Sequence, residues 1–158
     1  MKSTAIIAAV ATALLAVSTK AAPLVWSDCS TGPTQVTDAT FKMDGEWSCL
    51  GEKVCGTLTG NFTSPLIEGS QLSVEVRYLG RLTGSYRGDL CAILKESGYN
   101  CPIPAGPKTL HACINYNATV PNINTVATVQ ARNGDGYTLF CQKTPAVMNK
   151  NCTLTPNP

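Results

Sequence analysis

Apolar and polar residues alternate along four segments of the chain, and each segment is bounded by Gly, Pro, Asn or Asp. Alternation with a period of two over such short lengths is typical of β-strands that bury one face. In the last two segments, Cys113 and Val126 place an apolar side chain on the otherwise polar face. The predicted inward positions are Val54, Gly56, Leu58, Gly60 and Phe62; Leu72, Val74, Val76 and Tyr78; Leu110, Ala112, Ile114 and Tyr116; and Ile123, Thr125, Ala127, Val129 and Ala131.

Two weaker segments add to this pattern. Thr37–Met43 is one, and Tyr137–Lys143 follows a predicted turn at Asn133–Gly136. Gly80–Pro107 is rich in Gly and Pro, so we expect a long structured connection there, with one helical turn at Ala92–Ser97. Six or seven short strands, each with one apolar face, indicate an all-β fold, either an antiparallel sandwich or a barrel.

The N-terminus has the layout of a secretory signal peptide. Lys2 precedes an apolar run from Ala5 to Val17, and small residues follow it. The run is shorter than the roughly 20 residues that a membrane span needs. Cleavage after Ser18 or after Ala21 fits equally well, and we assign residues 1–21 to the signal. Residues 22–158 then form one domain of ordinary size, which we expect to be secreted and soluble.

The charge balance argues against a strongly charged partner. The full chain has 12 basic and 10 acidic residues, and loss of Lys2 and Lys20 with the signal leaves ten of each. No cluster of Lys and Arg marks a nucleic-acid surface. We therefore expect a partner without strong charge, no nucleic acid, and a monomeric protein.

The cysteines predict an oxidising compartment. All eight lie beyond the signal segment, and an even number behind a secretory signal favours four disulfides. Metal binding is the alternative, but the chain has no Cys-x-x-Cys pair and only one histidine. We therefore expect neither a metal nor a cofactor. The cysteines are Cys29, Cys49, Cys55, Cys91, Cys101, Cys113, Cys141 and Cys152.

Three N-glycosylation sequons begin at Asn61, Asn117 and Asn151. A glycan must face water, so an acceptor should lie on the outer face of a strand. Asn61 falls on the face opposite Phe62, and Asn117 continues the outward positions of its own segment. The sequons and the alternation therefore agree on which faces are buried.

Few residues support an enzyme. His111 lies on the polar face of a predicted strand, and no carboxylate or nucleophile is tied to it by spacing. Asp44 and Glu46 are the closest acidic pair, and two carboxylates near a turn usually form a solvated rim. We expect no enzymatic activity. Three arginines, which are ordinary solvated charges or contacts to lipid head groups, are Arg77, Arg81 and Arg87.

The spacing of the cysteines resembles that of a known family. Cys91 is followed after nine residues by Cys101-Pro102-Ile103, and some forty residues later by Leu139-Phe140-Cys141. A short loop, Cys49 to Cys55, precedes the segment that carries Asn61. The combination is similar to the ML lipid-recognition family, which includes the soluble Niemann–Pick type C sterol carriers and phosphatidylglycerol/phosphatidylinositol transfer proteins. The resemblance extends from Asp28 to about Val147.

The family pattern implies three disulfides. These are Cys29–Cys141, Cys49–Cys55 and Cys91–Cys101. Cys113 and Cys152 have no counterpart in the six-cysteine members, which leaves Cys113–Cys152 as a fourth bridge.

The resemblance also implies a function. It implies an immunoglobulin-like β-sandwich of about seven strands with an internal lipid cavity, which carries a sterol or a phospholipid and contacts membranes transiently. The expected compartment is the extracellular space, or the lumen of a vacuole or lysosome. Tyr116 and Val120 stand close to family positions at the cavity mouth. The other expected lining residues are Leu58, Phe62, Leu72, Val74, Val76, Leu110, Ile114, Ala127, Val129 and Ala131.

Other hypotheses remain open at this point. The inward residues would equally fill a solid core, as in most sandwiches. The protein would then be a secreted adhesion or immune-type interaction module without a ligand. A carbohydrate-active or inhibitory protein is a third hypothesis.

Overall fold

The structure, a computed structural model, describes residues 24–44, 53–116 and 124–147. Within these ranges the chain forms eight β-strands and one short helix. The helix, α1, spans Leu90–Glu96. The strands are β1 Ser27–Asp28, β2 Val36–Met43, β3 Lys53–Phe62, β4 Gln71–Tyr78, β5 Arg81–Asp89, β6 Gly106–Asn115, β7 Asn124–Arg132 and β8 Thr138–Val147.

The strands form two antiparallel sheets. The five-stranded sheet has the order β1-β8-β7-β4-β5, and the three-stranded sheet has the order β2-β3-β6. Each sheet turns one apolar face towards the other, so the core lies between them. The prediction of an all-β sandwich is therefore confirmed.

The alternation assigned the strand faces correctly. In β4, Leu72, Val74 and Val76 are buried, while the intervening residues are partly or fully exposed. In β3, Leu58 and Phe62 are buried and Asn61 between them is exposed. Asn117 and Asn151 lie outside the described residues.

The predicted connection at Gly80–Pro107 is wrong. Its first part is the strand β5, which forms a hairpin with β4, and its second part contains α1. The inward positions of β5 include Gly84, opposite Val76, and Gly88, opposite Leu72. Because glycine contributes no side chain to a core, the strand lacks the apolar alternation that identified the others.

Three disulfides join described residues. Cys29–Cys141 ties β1 to β8, and Cys91–Cys101 ties α1 to the loop before β6, as the family resemblance implied. The Cys29–Cys141 bridge spans 112 residues, and in the chain-entropy model a loop of this order stabilises the fold by about 4.7 kcal/mol.

The third disulfide corrects two expected pairings. Cys55 bonds to Cys113, so neither Cys49–Cys55 nor Cys113–Cys152 forms. The register of β3 against β6 places Cys55 directly opposite Cys113, with 4.0 Å between their Cα atoms. Two directly opposite residues project from the same face of a sheet, which brings their sulfur atoms together. Cys49 and Cys152 lie outside the described residues.

Candidate functional site

An apolar pocket lies between the two sheets. Its volume is about 80 Å³, several times the roughly 10–15 Å³ that a single water requires. None of its lining side chains carries a charge. The three-stranded sheet contributes Phe41, Met43, Val54, Cys55, Gly56, Leu58, Phe62, Leu110, Ala112 and Ile114; the five-stranded sheet contributes Leu72, Val74, Val129, Leu139 and Phe140; and Leu66, Leu90 and Leu94 complete the lining.

Helix α1 closes one end of this pocket. Leu90 and Leu94 are four residues apart, so they share one face of the helix, and both are buried against the pocket. The Asp89 side chain caps the helix by accepting a hydrogen bond from the Ala92 amide at 2.8 Å. The Cys91–Cys101 disulfide holds the helix to the next segment.

Asn133, in the β7–β8 turn, cross-links the same closed end. Its Oδ1 accepts hydrogen bonds from the Ile67 amide at 3.0 Å and from the Ser70 hydroxyl at 2.9 Å. Its Nδ2 donates to Gln35 Oε1 at 2.7 Å and to the Pro65 carbonyl at 2.9 Å. Asn133 is only 3% exposed, so one side chain joins three loops in a region from which water is excluded.

The opposite end of the pocket is the open one. Strands β2 and β8 run side by side in the same direction, because the Gln35 amide donates to the Thr138 carbonyl and the Gln142 side chain donates to the Ala39 carbonyl. The end of β2 at Met43 is therefore level with the end of β8. The half-buried lining residues gather here, at the end of β2, the start of β3 and the end of β6: Phe41, Met43, Val54, Gly56 and Ala112.

Phe41 occupies the border of this open end. Its ring lies so close to Gly56 that a Cβ added there would be 2.6 Å from the ring. Trp26 packs edge-on against Phe41, with 4.7 Å between ring centroids and 84° between planes. The Trp26 indole nitrogen is buried and has no hydrogen-bond partner among the described residues. The small Gly56 thus lets an aromatic pair cover the side of the pocket.

The titratable groups that sequence analysis considered lie away from the pocket. His111 Nε2 is 2.6 Å from Asp44 Oδ2, and both side chains are about half exposed on the outer side of the three-stranded sheet. Sequence spacing did not indicate this pair, because the two residues are 67 positions apart. His111 also lies near Cys55 and Cys113, but sulfur atoms in a disulfide are not thiolate ligands for a metal.

Two tyrosines have shifted titration for structural reasons. Burial raises the pKa of Tyr116 above its ordinary value. Burial, and to a smaller extent the negative charge of Glu96, raises the pKa of Tyr86. Both hydroxyls therefore stay neutral at physiological pH, and neither provides a general base.

The structure separates the expected lining residues into two groups. Seven line the pocket: Leu58, Phe62, Leu72, Val74, Leu110, Ile114 and Val129. Val76, Tyr116, Ala127 and Ala131 are buried but do not line it. Val120 lies outside the described residues.

Sequence analysis missed the residues of the closed end. Leu90 and Leu94 come from the segment predicted to be a connection, and Leu66 comes from the loop between β3 and β4. The signal for the helix was local, since Asp89 precedes two leucines spaced four residues apart. Leu139 and Phe140 belong to the motif that carries the family resemblance, but their alternation did not indicate a pocket.

The fold and the pocket together define a class. The chain is a disulfide-bonded, immunoglobulin-like β-sandwich that keeps an apolar space between its sheets. The sequence model of the ML domain matches residues 23–148, and the chain belongs to the ML-domain family. It is not an enzyme. No curated protein matches the chain. The described part of the chain also contains no helix with the length and apolarity to traverse a membrane.

Two solved structures illustrate the similarity of fold. A Niemann-Pick type C2 protein from Japanese carpenter ant has a TM-score of 0.57 at 15% identity, covering 79% of this chain and 99% of the ant chain. Chicken MD-1 complexed with lipid IVa has a TM-score of 0.57 at 17% identity, covering 80% of this chain and 89% of the chicken chain.

Proposed function

We propose that this protein binds one lipid, a sterol or a phospholipid, with its apolar part between the two sheets, and carries it between membranes. The observation that carries this proposal is the uncharged apolar pocket, which runs from the end closed by α1 to the open end at Met43 and Val54. The similar fold of MD-1, whose structure holds lipid IVa, supports it. An apolar site with few polar groups fits a ligand that is held by burial of its hydrocarbon.

The pocket must widen to accept such a ligand. Its volume of about 80 Å³ is smaller than the roughly 150 Å³ cavity that accepts one benzene ring. Each described disulfide leaves the sheets free to separate: Cys29–Cys141 lies within the five-stranded sheet, Cys55–Cys113 within the three-stranded sheet, and Cys91–Cys101 at the closed end. The sheets can therefore open around a lipid while each keeps its internal pairing.

The energetics suit a carrier. Burying a chain of about sixteen CH₂ groups is worth on the order of 13 kcal/mol relative to water. A bilayer offers almost the same apolar surroundings, so transfer between membrane and pocket should be close to neutral in free energy. Loading at one membrane and unloading at another then need no chemical step.

The proposed place of action is the extracellular space or the lumen of a lysosome or vacuole. The signal-like residues 1–21 and the disulfides support this assignment, because disulfides persist in oxidising compartments. Asn61 is exposed on the outer face of β3 and is a suitable acceptor for a glycan. Glycosylation at Asn61, Asn117 and Asn151 remains a prediction.

Native mass spectrometry of the protein from its own host tests the proposal. We expect one lipid per chain, identified as sterol or phospholipid after solvent extraction, and competition between that lipid and a fluorescent analogue. An empty protein that takes up neither fluorescent sterol nor fluorescent phospholipid would favour the rival function, a secreted interaction module without a ligand.

A further inference from the structure

Exposed apolar side chains gather at one end of the five-stranded sheet. Tyr78 is 36% exposed, Leu79 84%, Leu82 52% and Val126 45%. Leu82 and Val126 flank Arg77 in one row across three neighbouring strands, because Arg77 pairs with Leu82 in β5 and with Val126 in β7. Single exposed apolar residues are common, but a group on one edge marks an interaction surface. We call Tyr78, Leu79, Leu82 and Val126 the apolar rim.

The apolar rim lies at the open end of the pocket. Val126 pairs with Pro145 near the end of β8, and the end of β8 is level with Met43 at the end of β2. Met43 is one of the half-buried residues that line the open end. Among the described residues, the exposed large apolar side chains of Ile67 and Tyr137 lie instead at the closed end.

The hairpin that carries the rim also carries positive charge. The Arg77 guanidinium donates to Glu75 Oε2 at 2.8 Å and to the Gly80 carbonyl at 3.1 Å, which fixes the β4–β5 turn. Arg81, opposite Tyr78, adds a second exposed cation beside Leu79, and Glu75 is the only acidic residue among these. Apolar side chains next to arginine match the boundary of a bilayer, where acyl chains meet anionic phosphates.

We propose that the apolar rim docks the protein on the surface of a bilayer that contains anionic phospholipid, with the open end of the pocket facing the membrane. This inference rests on the proposed function and names its membrane partner. Docking lets the hydrocarbon of the lipid move from bilayer to pocket without crossing water. The arginines orient the protein by contact with phosphate, and the rim excludes water around the opening.

The test compares two routes of lipid uptake. The variant is Leu79→Ser/Leu82→Ser, and Tyr137→Ser is the matched control, since it removes an exposed apolar side chain at the closed end. Fluorescent lipid is supplied in vesicles of phosphatidylcholine with phosphatidylglycerol, or as a soluble cyclodextrin complex. We expect the variant to lose about tenfold or more in vesicle binding and in uptake from vesicles, with uptake from cyclodextrin and the melting temperature unchanged.

A second pair of variants tests the charge. Arg81→Gln should weaken binding to the anionic vesicles about fivefold at low salt and much less at high salt, because surface charge is screened. Arg87→Gln, on β5 near the closed end, should change neither.

Three results would overturn the proposal. One is vesicle binding that is equal in Leu79→Ser/Leu82→Ser and wild type. Another is equal loss in Tyr137→Ser. The third is concentration-dependent dimerisation that these rim substitutions abolish, since the rim would then bind a second copy of the chain. Failure of the wild type to take lipid from cyclodextrin would instead contradict the proposed function, while vesicle binding would still judge the rim.

Discussion

Ala112 and Gly56 are the smallest residues in the three-stranded wall of the pocket, and they face each other across β3 and β6. Ala112 is half buried at the open end, so a larger side chain there has free space in front of it. Its size therefore affects the entrance of the pocket more than the packing of the core.

Ala112→Trp should block lipid uptake without unfolding the protein. The indole enters the space that the hydrocarbon would take, so we expect uptake to fall by more than about tenfold, which corresponds to 1.4 kcal/mol of lost binding free energy. The melting temperature of the lipid-free protein should stay within a few degrees. Ala92→Trp, on the exposed side of α1, is the control for adding an indole. Undiminished uptake by Ala112→Trp would show that the lipid binds elsewhere.

Ala131→Trp should have the opposite effect. Ala131 is fully buried between Leu72 and Phe140 in neighbouring strands and does not line the pocket. Overpacking of such a site costs about 1–3 kcal/mol. Chemical denaturation should therefore reveal a clear loss in the free energy of unfolding, and an unchanged value would mean that space exists beside Ala131.

These two alanines mark the limit of prediction at the residue scale. Alternation placed both on inward faces, and both do face inward. Alternation cannot say which inward residue meets a void and which meets another side chain, because that depends on how the sheets diverge. Seven expected lining residues were therefore placed correctly, whereas Ala127 and Ala131 proved to be packed.

Strands β3 and β6 are the clearest case at the scale of elements. Cys55 and Cys113 both interrupt the outward positions of alternating segments, so a cross-strand bridge was already consistent with their parity. What the sequence lacked was the register, which sets Cys55 opposite Cys113. The family pattern, with a bridge inside the Cys49–Cys55 loop, therefore did not transfer to this chain.

Peptide mapping without reduction should recover Cys55 joined to Cys113. Since all eight cysteines are expected to be oxidised, Cys49 and Cys152 are then left to pair with each other. Removal of the bridge in Cys55→Ala/Cys113→Ala should lower the free energy of unfolding by about 4 kcal/mol, given its separation of 58 residues. Recovery of a peptide linking Cys49 to Cys55 would contradict this pairing.

The two ends of the whole molecule differ in how they are held. The closed end has α1, a disulfide and the hydrogen bonds of Asn133, whereas the open end has half-buried apolar side chains. Sequence analysis predicted the sandwich and a turn at Asn133, but not this polarity. The polarity depends on contacts among Gln35, Pro65 and Asn133, which are far apart along the chain.

Asn133→Ala should destabilise the closed end. It leaves the Ile67 amide and the Ser70 hydroxyl without their acceptor, and an unsatisfied buried group costs about 1–3 kcal/mol. We expect a loss of at least about 2 kcal/mol in the free energy of unfolding. The exposed Asn115→Ala is the control. Equal stability of the two variants would mean that water replaces the Asn133 side chain without cost.

The pocket also makes hydrostatic pressure a probe of loading. Unfolding eliminates internal voids, and a void of about 80 Å³ amounts to roughly 50 mL/mol, well within the range of volume changes seen for proteins. A lipid that fills the space removes this contribution. The empty protein should therefore unfold at lower pressure than the loaded one, by a margin larger than their difference in stability at atmospheric pressure explains, and tryptophan fluorescence under pressure measures it.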